Sequence, residues 1–285
     1  MSDDNNGALD GAPARHNTIA PQKAYENLDF LASREGRALR ILSEYLEPKS
    51  RFDHYGIADT VVFMGSARVP SRETADANAA RATANGEDAT ASRRDAHLAH
   101  YYEAAVTLAY RLTQWSKNLG GSRKRRFVVC TGGGPGLMEA ANRGASEARG
   151  LNIGLSISLP AEEGTNPYVT RGLAFDFHYF FMRKFWFAYQ AKAVVMLPGG
   201  FGTLDELFEL LTLVQTGKMD KHLPIVLFGT EYWDQVLNLD TMVDWGMIDP
   251  KDRELVYRTD SVDDAYNYLV DQLSEYAVGQ PGAQL

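Results

Sequence analysis

Arg183 and Glu206 are the residues of this sequence whose types suit chemistry on a phosphorylated sugar. An arginine side chain is permanently charged, and its guanidinium can fork onto a phosphate or a carboxylate. A glutamate can accept ribose hydroxyls, orient a water, or stabilise positive charge on a sugar ring. Together they suit cleavage of an N-glycosidic bond, whose transition state resembles an oxocarbenium ion, by analogy with O-glycoside hydrolysis. Binding energy from a 5′-phosphate would position the ribose for attack.

The phosphate would be held beside Glu206. The segment AVVMLPGGFGTLDELF (193–208) reads as a buried strand, a tight glycine turn and a helix. Pro198 cannot continue a ladder, so the strand ends there. Gly199, Gly200 and Gly202 permit a sharp turn and close approach of a ligand to the backbone. Thr203 is expected to cap or open the helix, whose apolar face reads Leu204, Leu207, Phe208 and Leu211. Free N–H groups and the helix dipole make this corner an anion site. Glu206, one turn inside, is expected to stay ionised under the same dipole.

A second unit of this kind lies upstream. The apolar run 127–130 leads into TGGGPG (131–136) and a helix through Leu137, Met138, Glu139 and Ala145. It is neither a Walker A loop, since no Gly-Lys-Ser/Thr follows, nor the dinucleotide spacing, since Gly132, Gly134 and Gly136 fall at every second position. Gly133, Gly134, Met138 and Glu139 are therefore candidate walls of a nucleotide site. Ser66 and Arg68, after the strand 59–64, and Lys184, beside Arg183, complete the candidate substrate contacts.

The elements that position these residues alternate. Strands are expected at 59–64, 127–130, 151–157 (extending to 159), 173–177, 193–197, 224–228 and near 255–258. Helices are expected at 97–119, 137–145, 178–190, from 203, at 232–245 and at 262–276. Residues 71–95 read as a loop insertion or a frayed helix start, and 160–171 as a loop over the end of the sheet. Such alternation predicts an α/β fold: a doubly wound, mostly parallel sheet with helices on both faces, binding its ligand at strand C-termini near a switch in strand order. Residues 1–20 read as a disordered tail, 21–278 as one domain with a helical extension over 21–55, and 279–285 as a second tail. In the extension, one or two amphipathic helices over 24–47 are expected to end at Pro48. The helix at 178–190 is aromatic all round and is expected to be largely buried, so Arg183 and Lys184 need partners.

Composition narrows the function classes. The chain has 285 residues, 45% of them hydrophobic, with a formal charge of −8. That balance disfavours nucleic acid or a membrane surface as the main partner but allows one small phosphorylated ligand. No signal-peptide pattern or membrane-length apolar stretch is present, so the expected compartment is the cytoplasm. Cys130 lies in an apolar run and reads as a buried, inert thiol. The six histidines show no zinc spacing apart from His97 and His100, so neither a metal nor a cofactor is expected. Tyr101 and Tyr102 read as packing residues, and His178 as a core histidine more readily than as a ligand contact.

At these residues the chain resembles the LOG ("lonely guy") phosphoribohydrolases, often labelled lysine-decarboxylase-like. The resemblance spans about residues 55–275 and rests on PGGFGTLDE (198–206) with the upstream Arg183-Lys184. TGGGPGLMEAANRGA (131–145), ISLPAEEGTNPY (157–168) and FHYFFMRK (177–184) look like the longer bacterial branch. The resemblance implies a Rossmann-like fold, a homodimer or larger assembly, and hydrolysis of a nucleoside 5′-monophosphate (AMP or a cytokinin riboside monophosphate) to free base and ribose 5-phosphate. It places the catalytic pair at Arg183 and Glu206 and the phosphate loop at Gly199, Gly200, Gly202 and Thr203. Where the short proteins read MHxRK, Phe180-Phe181-Met182 precede Arg183 here. Decarboxylation would need a Schiff-base lysine with partners for a pyridoxal ring, and no such set is identifiable. The rival reading is a non-catalytic nucleotide or molybdenum-cofactor-type carrier, which would not require Glu206.

Overall fold

The computed structural model describes residues 21–119, 124–158 and 164–282. The expected tail over 1–20, the strand extension at Leu159, the start of the 160–171 loop and the last residues, 283–285, lie outside them. The chain divides into two units, Met1–Leu42 and Ser43–Leu285. In the first, helix α1 (Leu28–Ala32) is capped by Asn27, whose side chain accepts the N–H of Phe30. Arg40 donates to the carbonyls of Leu31 and Ser33 at 2.5 and 2.7 Å, satisfying the C-terminal turn of α1.

Helix α2 (Arg37–His54) runs through Pro48 instead of ending there. A proline inside a helix removes the bond to the carbonyl four residues earlier. Here that carbonyl belongs to Glu44, and it accepts the indole N–H of Trp186 at 3.0 Å. A tertiary partner thus replaces the lost helical one.

The second unit carries a seven-stranded sheet of order β4-β3-β2-β1-β5-β6-β7. Its strands are β1 (Thr60–Met64), β2 (Val128–Thr131), β3 (Asn152–Ile157), β4 (Ala174–Phe177), β5 (Ala191–Met196), β6 (Ile225–Phe228) and β7 (Val256–Thr259), and every pairing is parallel. Helices α4 (Thr90–Lys117), α5 (Leu137–Glu147) and α10 (Val262–Tyr276) cover one face. There Leu108, Leu112, Leu137 and Leu269 pack with Val61, Phe63, Val129, Val195 and Phe228. The alternate residues Val62, Met64, Val194 and Met196 are also buried, as strands covered on both faces require. Helix α6 (Phe180–Gln190), on β3 and β4, and helix α7 (Phe201–Gln215) complete the doubly wound arrangement.

Three further expectations change. Residues 71–95 form helix α3 (Arg72–Asn85) and the first turns of α4. Ser71 caps α3 by accepting the N–H of Thr74, and Gly86 closes it in the left-handed conformation, so two caps turn an alanine-rich polar stretch into a helix. The single helix expected at 232–245 is two, α8 (Thr230–Val236) and α9 (Leu239–Asp244), divided by extended Leu237 and restarted by the cap of Asn238. Helix α6 is not buried all round: it seats Met182, Trp186 and Phe187 inward, but Phe180 and Phe181 remain about half exposed.

At the N-terminal end of the sheet, buried Asp59 accepts from Arg126 Nε and the Phe127 N–H, both at 2.7 Å. The same guanidinium donates to the carbonyls of Ala277 and Val278, which ties down the end of α10. Gly282 N–H also reaches Asp59.

Candidate active site

The strand order reverses between β1 and β5, because the chain steps from β1 towards β4 on one side and from β5 towards β7 on the other. Such a switch opens a crevice at the strand C-termini. Three loops meet there around Ser66. Its N–H donates to the Pro198 carbonyl, and its own carbonyl accepts the N–H of Leu137, both at 3.0 Å. Gly136 has φ +69°, and a Cβ there would lie 2.5 Å from the Ser66 carbonyl oxygen. The junction therefore requires glycine.

Helix α7 opens at Phe201 with Gly200 as its cap, two residues earlier than the expected start at Thr203. Gly200 offers no side-chain cap to the first-turn N–H groups, and Gly200, Phe201, Gly202 and Thr203 all line the crevice. Thr203 instead folds back on the turn: a Cβ on Gly199 would lie 2.1 Å from Thr203 Oγ1. The Tyr232 hydroxyl donates to the Gly199 carbonyl.

The crevice is a cleft of about 730 Å³, within the range of small-ligand sites. It brings together most of the candidates: Ser66 and Arg68 from the loop after β1, Met138 from α5, Arg183 from α6, and Gly199, Gly200, Gly202, Thr203 and Glu206 from the loop after β5 and α7. Gly133, Gly134, Glu139 and Lys184 are not among its lining residues. Glu139 accepts from the Tyr102 hydroxyl at 2.9 Å, and Lys184 Nζ lies 2.8 Å from both Asp205 and Glu209. His178 is exposed rather than in the core, and its N–H donates to Glu44. Cys130, Tyr101 and Tyr102 are buried as expected, and burial pushes the Cys130 thiol up.

Arg183 is seated by backbone and by absence of bulk. Its Nε donates to the Leu155 carbonyl at 2.8 Å, and its guanidinium carbon lies 5.2 Å from the centre of the Phe187 ring. A Cβ on Gly132 would lie 2.7 Å from its Nη2, so that glycine leaves the space the guanidinium occupies.

Glu206 differs from expectation. It is 6% exposed, and burial pushes its carboxyl from an ordinary 4.5 up to about 7, against the opposing pull of Arg183 and Lys184. As the sixth residue of α7 it lies beyond the first turn, where the dipole is strongest, so desolvation outweighs that field. A buried carboxyl near neutrality beside an arginine in one cleft is a pattern that enzymes use for acid–base work and that structural ion pairs also produce.

Sequence reasoning missed Tyr232, Leu98, Phe180 and Phe201 as lining residues. Tyr232 follows Gly229 (φ +105°), which ends β6, the strand next to β5. A glycine closing a third strand was the available signal.

The family described as "Possible lysine decarboxylase" matches residues 138–269. The cytokinin riboside 5′-monophosphate phosphoribohydrolase LOG3 of Arabidopsis thaliana is 32% identical over 182 residues, which is 62% of this chain and 76% of that protein. LOG7 of the same plant is 32% identical over 183 residues, 62% of this chain and 75% of its own. Among solved structures, a molybdenum cofactor binding protein from Rippkaea orientalis superposes with a TM-score of 0.45 at 18% identity, over 74% of this chain and 94% of that one.

Proposed function

This chain belongs to the LOG family of phosphoribohydrolases, and from that premise we propose that it hydrolyses the N-glycosidic bond of a purine nucleoside 5′-monophosphate, AMP or a cytokinin riboside monophosphate. The products are the free base and ribose 5-phosphate. The observation that carries the reading is the joint lining of one cleft by Arg183, buried Glu206 and the uncapped N-terminus of α7.

In this reading the 5′-phosphate sits on the N–H groups at Gly200, Gly202 and Thr203, where the dipole favours a dianion. Arg68 and Arg183 add cationic groups to the same cleft. The ribose lies between Arg183 and Glu206. As the C1′–N bond breaks, its electron pair leaves with the base and positive charge develops on the ring. The Glu206 carboxylate stabilises that charge and takes a proton from the water that bonds to C1′, while the departing base is protonated in turn. Ionised and protonated forms of Glu206 are both accessible near pH 7, which suits a group that takes up and returns a proton. Leu98, Met138 and Phe180 give the base an apolar wall. No lysine lines the cleft among the described residues, which fits hydrolysis better than Schiff-base chemistry. We place with this reading a cytoplasmic homodimer or larger assembly.

The test is incubation with AMP, its N6-isopentenyl derivative and adenosine, with the released base and ribose 5-phosphate quantified. Equimolar products from either nucleotide and none from adenosine are expected. Tight nucleotide binding without base release would replace hydrolysis with a carrier function.

A further inference from the structure

The Arg183 guanidinium stands against a glycine turn, in the space where a Gly132 Cβ would be, and that turn is held by a side chain outside the cleft. Asn166 is 8% exposed and lies in the segment after β3. Its Nδ2 faces three acceptors: the carbonyls of Gly133 at 3.1 Å and Gly134 at 3.0 Å, and Asn142 Oδ1 at 2.9 Å. Its backbone N–H donates to the same Gly133 carbonyl at 2.7 Å, and its Oδ1 accepts the N–H of Tyr168. The network continues inward. Asn142 Oδ1 accepts from Thr131 Oγ1 at 2.7 Å, and Asn142 Nδ2 donates to Asn152 Oδ1 at 3.1 Å. Thr131 Oγ1 accepts the Gly133 N–H at 2.9 Å, and Ser156 Oγ donates to the Gly132 carbonyl at 3.2 Å. Every partner is buried or half-buried, where an unsatisfied carbonyl is costly and a satisfied network selects one backbone path.

We infer that Asn166 is a positioning residue for Arg183, acting through the Gly132–Gly134 turn. Gly133 is in the left-handed conformation (φ +74°), and a Cβ there would lie 2.6 Å from Ser156 Oγ, so the turn has little freedom on its β3 side. Its other side is Gly132, whose missing Cβ makes room for the guanidinium. The same strand supplies the Leu155 carbonyl that holds Arg183 Nε. Asn166 thus closes a frame in which β3 and the turn together set where the guanidinium stands. This rests on the reading that Arg183 works on the substrate; the frame itself does not.

The experiment separates the two. Side-chain ¹⁵N spectra of the full chain report the Arg183 Nε–H, assigned by its loss in Arg183→Lys. Wild type is expected to show a resonance slow to exchange with solvent, and Asn166→Ala to lose that protection by about tenfold or more while the fold is retained. Asn166→Ser, which keeps one donor, falls between them and replaces the alanine variant if that one does not fold. An unprotected resonance in wild type, or unchanged protection in the folded variants, overturns the inference. With AMP as substrate, Asn166→Ala is expected to lower kcat roughly 10–100-fold and to change KM less than about threefold, because the phosphate corner is untouched. In an Arg183→Gln background it is expected to cost no more than about twofold. Equal losses in both backgrounds would mark a merely structural residue. A wild type that releases no base would sink the hydrolase reading and leave the exchange measurement to decide the frame.

Discussion

Lys184 Nζ lies 2.8 Å from a carboxylate oxygen of Asp205, so the residue after Arg183 is joined to the residue before Glu206. Glu209, one turn on, takes the same ammonium at 2.8 Å. Burial works against the lysine's charge, yet the two carboxylates hold its pKa above the ordinary value. The Arg-Lys pair is thus divided in labour: one side chain faces the cleft and the other clamps the helix that carries Glu206.

Lys184→Met is therefore expected to lower kcat on the nucleotide about tenfold, because α6 and α7 lose their register and Glu206 loses a favourable neighbour. Lys184→Arg should retain most of the activity. The stability cost should be only about 1 kcal/mol, as for a partly solvated ion pair. Steady-state kinetics beside thermal unfolding check both.

Glu206 should leave a signature in stability. Its folded-state pKa, about 7, lies above the ordinary 4.5, so the folded chain binds the extra proton between these values. Unfolding free energy then falls as pH rises from about 4.5 to about 7 and levels off above, by about 3 kcal/mol in all. Glu206→Gln removes this loss. It should match wild type near pH 4 and exceed its stability at pH 8, as denaturant unfolding at the two pH values will show. If the carboxylate is the working form, kcat/KM rises with pH through about 7.

Much of this architecture is legible in the sequence. Parallel α/β order followed from apolar runs alternating with helical spacing, and α10 was expected at 262–276 and lies there. PGGFGT named the corner because proline and glycine are locally decisive. Long-range compensation was not legible. Pro48 reads as a stop unless Trp186, far along the chain, is known to occupy the Glu44 carbonyl. The raised pKa of Glu206 is not legible for the same reason: the dipole is a local property of the helix, whereas burial is a property of the whole fold.

The Trp186–Glu44 bond can be measured directly. Trp186→Phe should cost about 3 kcal/mol, from lost volume and an orphaned carbonyl. In a Pro48→Ala background, where residue 48 regains an N–H for that carbonyl, the cost should fall by about 1 kcal/mol. Denaturant unfolding of the four proteins closes the cycle.

Tyr232→Phe removes the hydroxyl that holds the Gly199 carbonyl. The amide corner should then bind phosphate less tightly, with KM for the nucleotide rising about three- to tenfold and kcat changing little. A change confined to kcat would place Tyr232 on the reacting sugar instead.

The most direct measurement compares turnover and binding of AMP, or of its N6-isopentenyl form, by wild type and Glu206→Gln. The account predicts adenine or N6-isopentenyladenine and ribose 5-phosphate in equal amounts from wild type. From Glu206→Gln it predicts base release lowered at least about a thousandfold, with nucleotide affinity kept within about threefold. Base release at an undiminished rate from the glutamine variant, or firm binding by wild type with no base released, would contradict it.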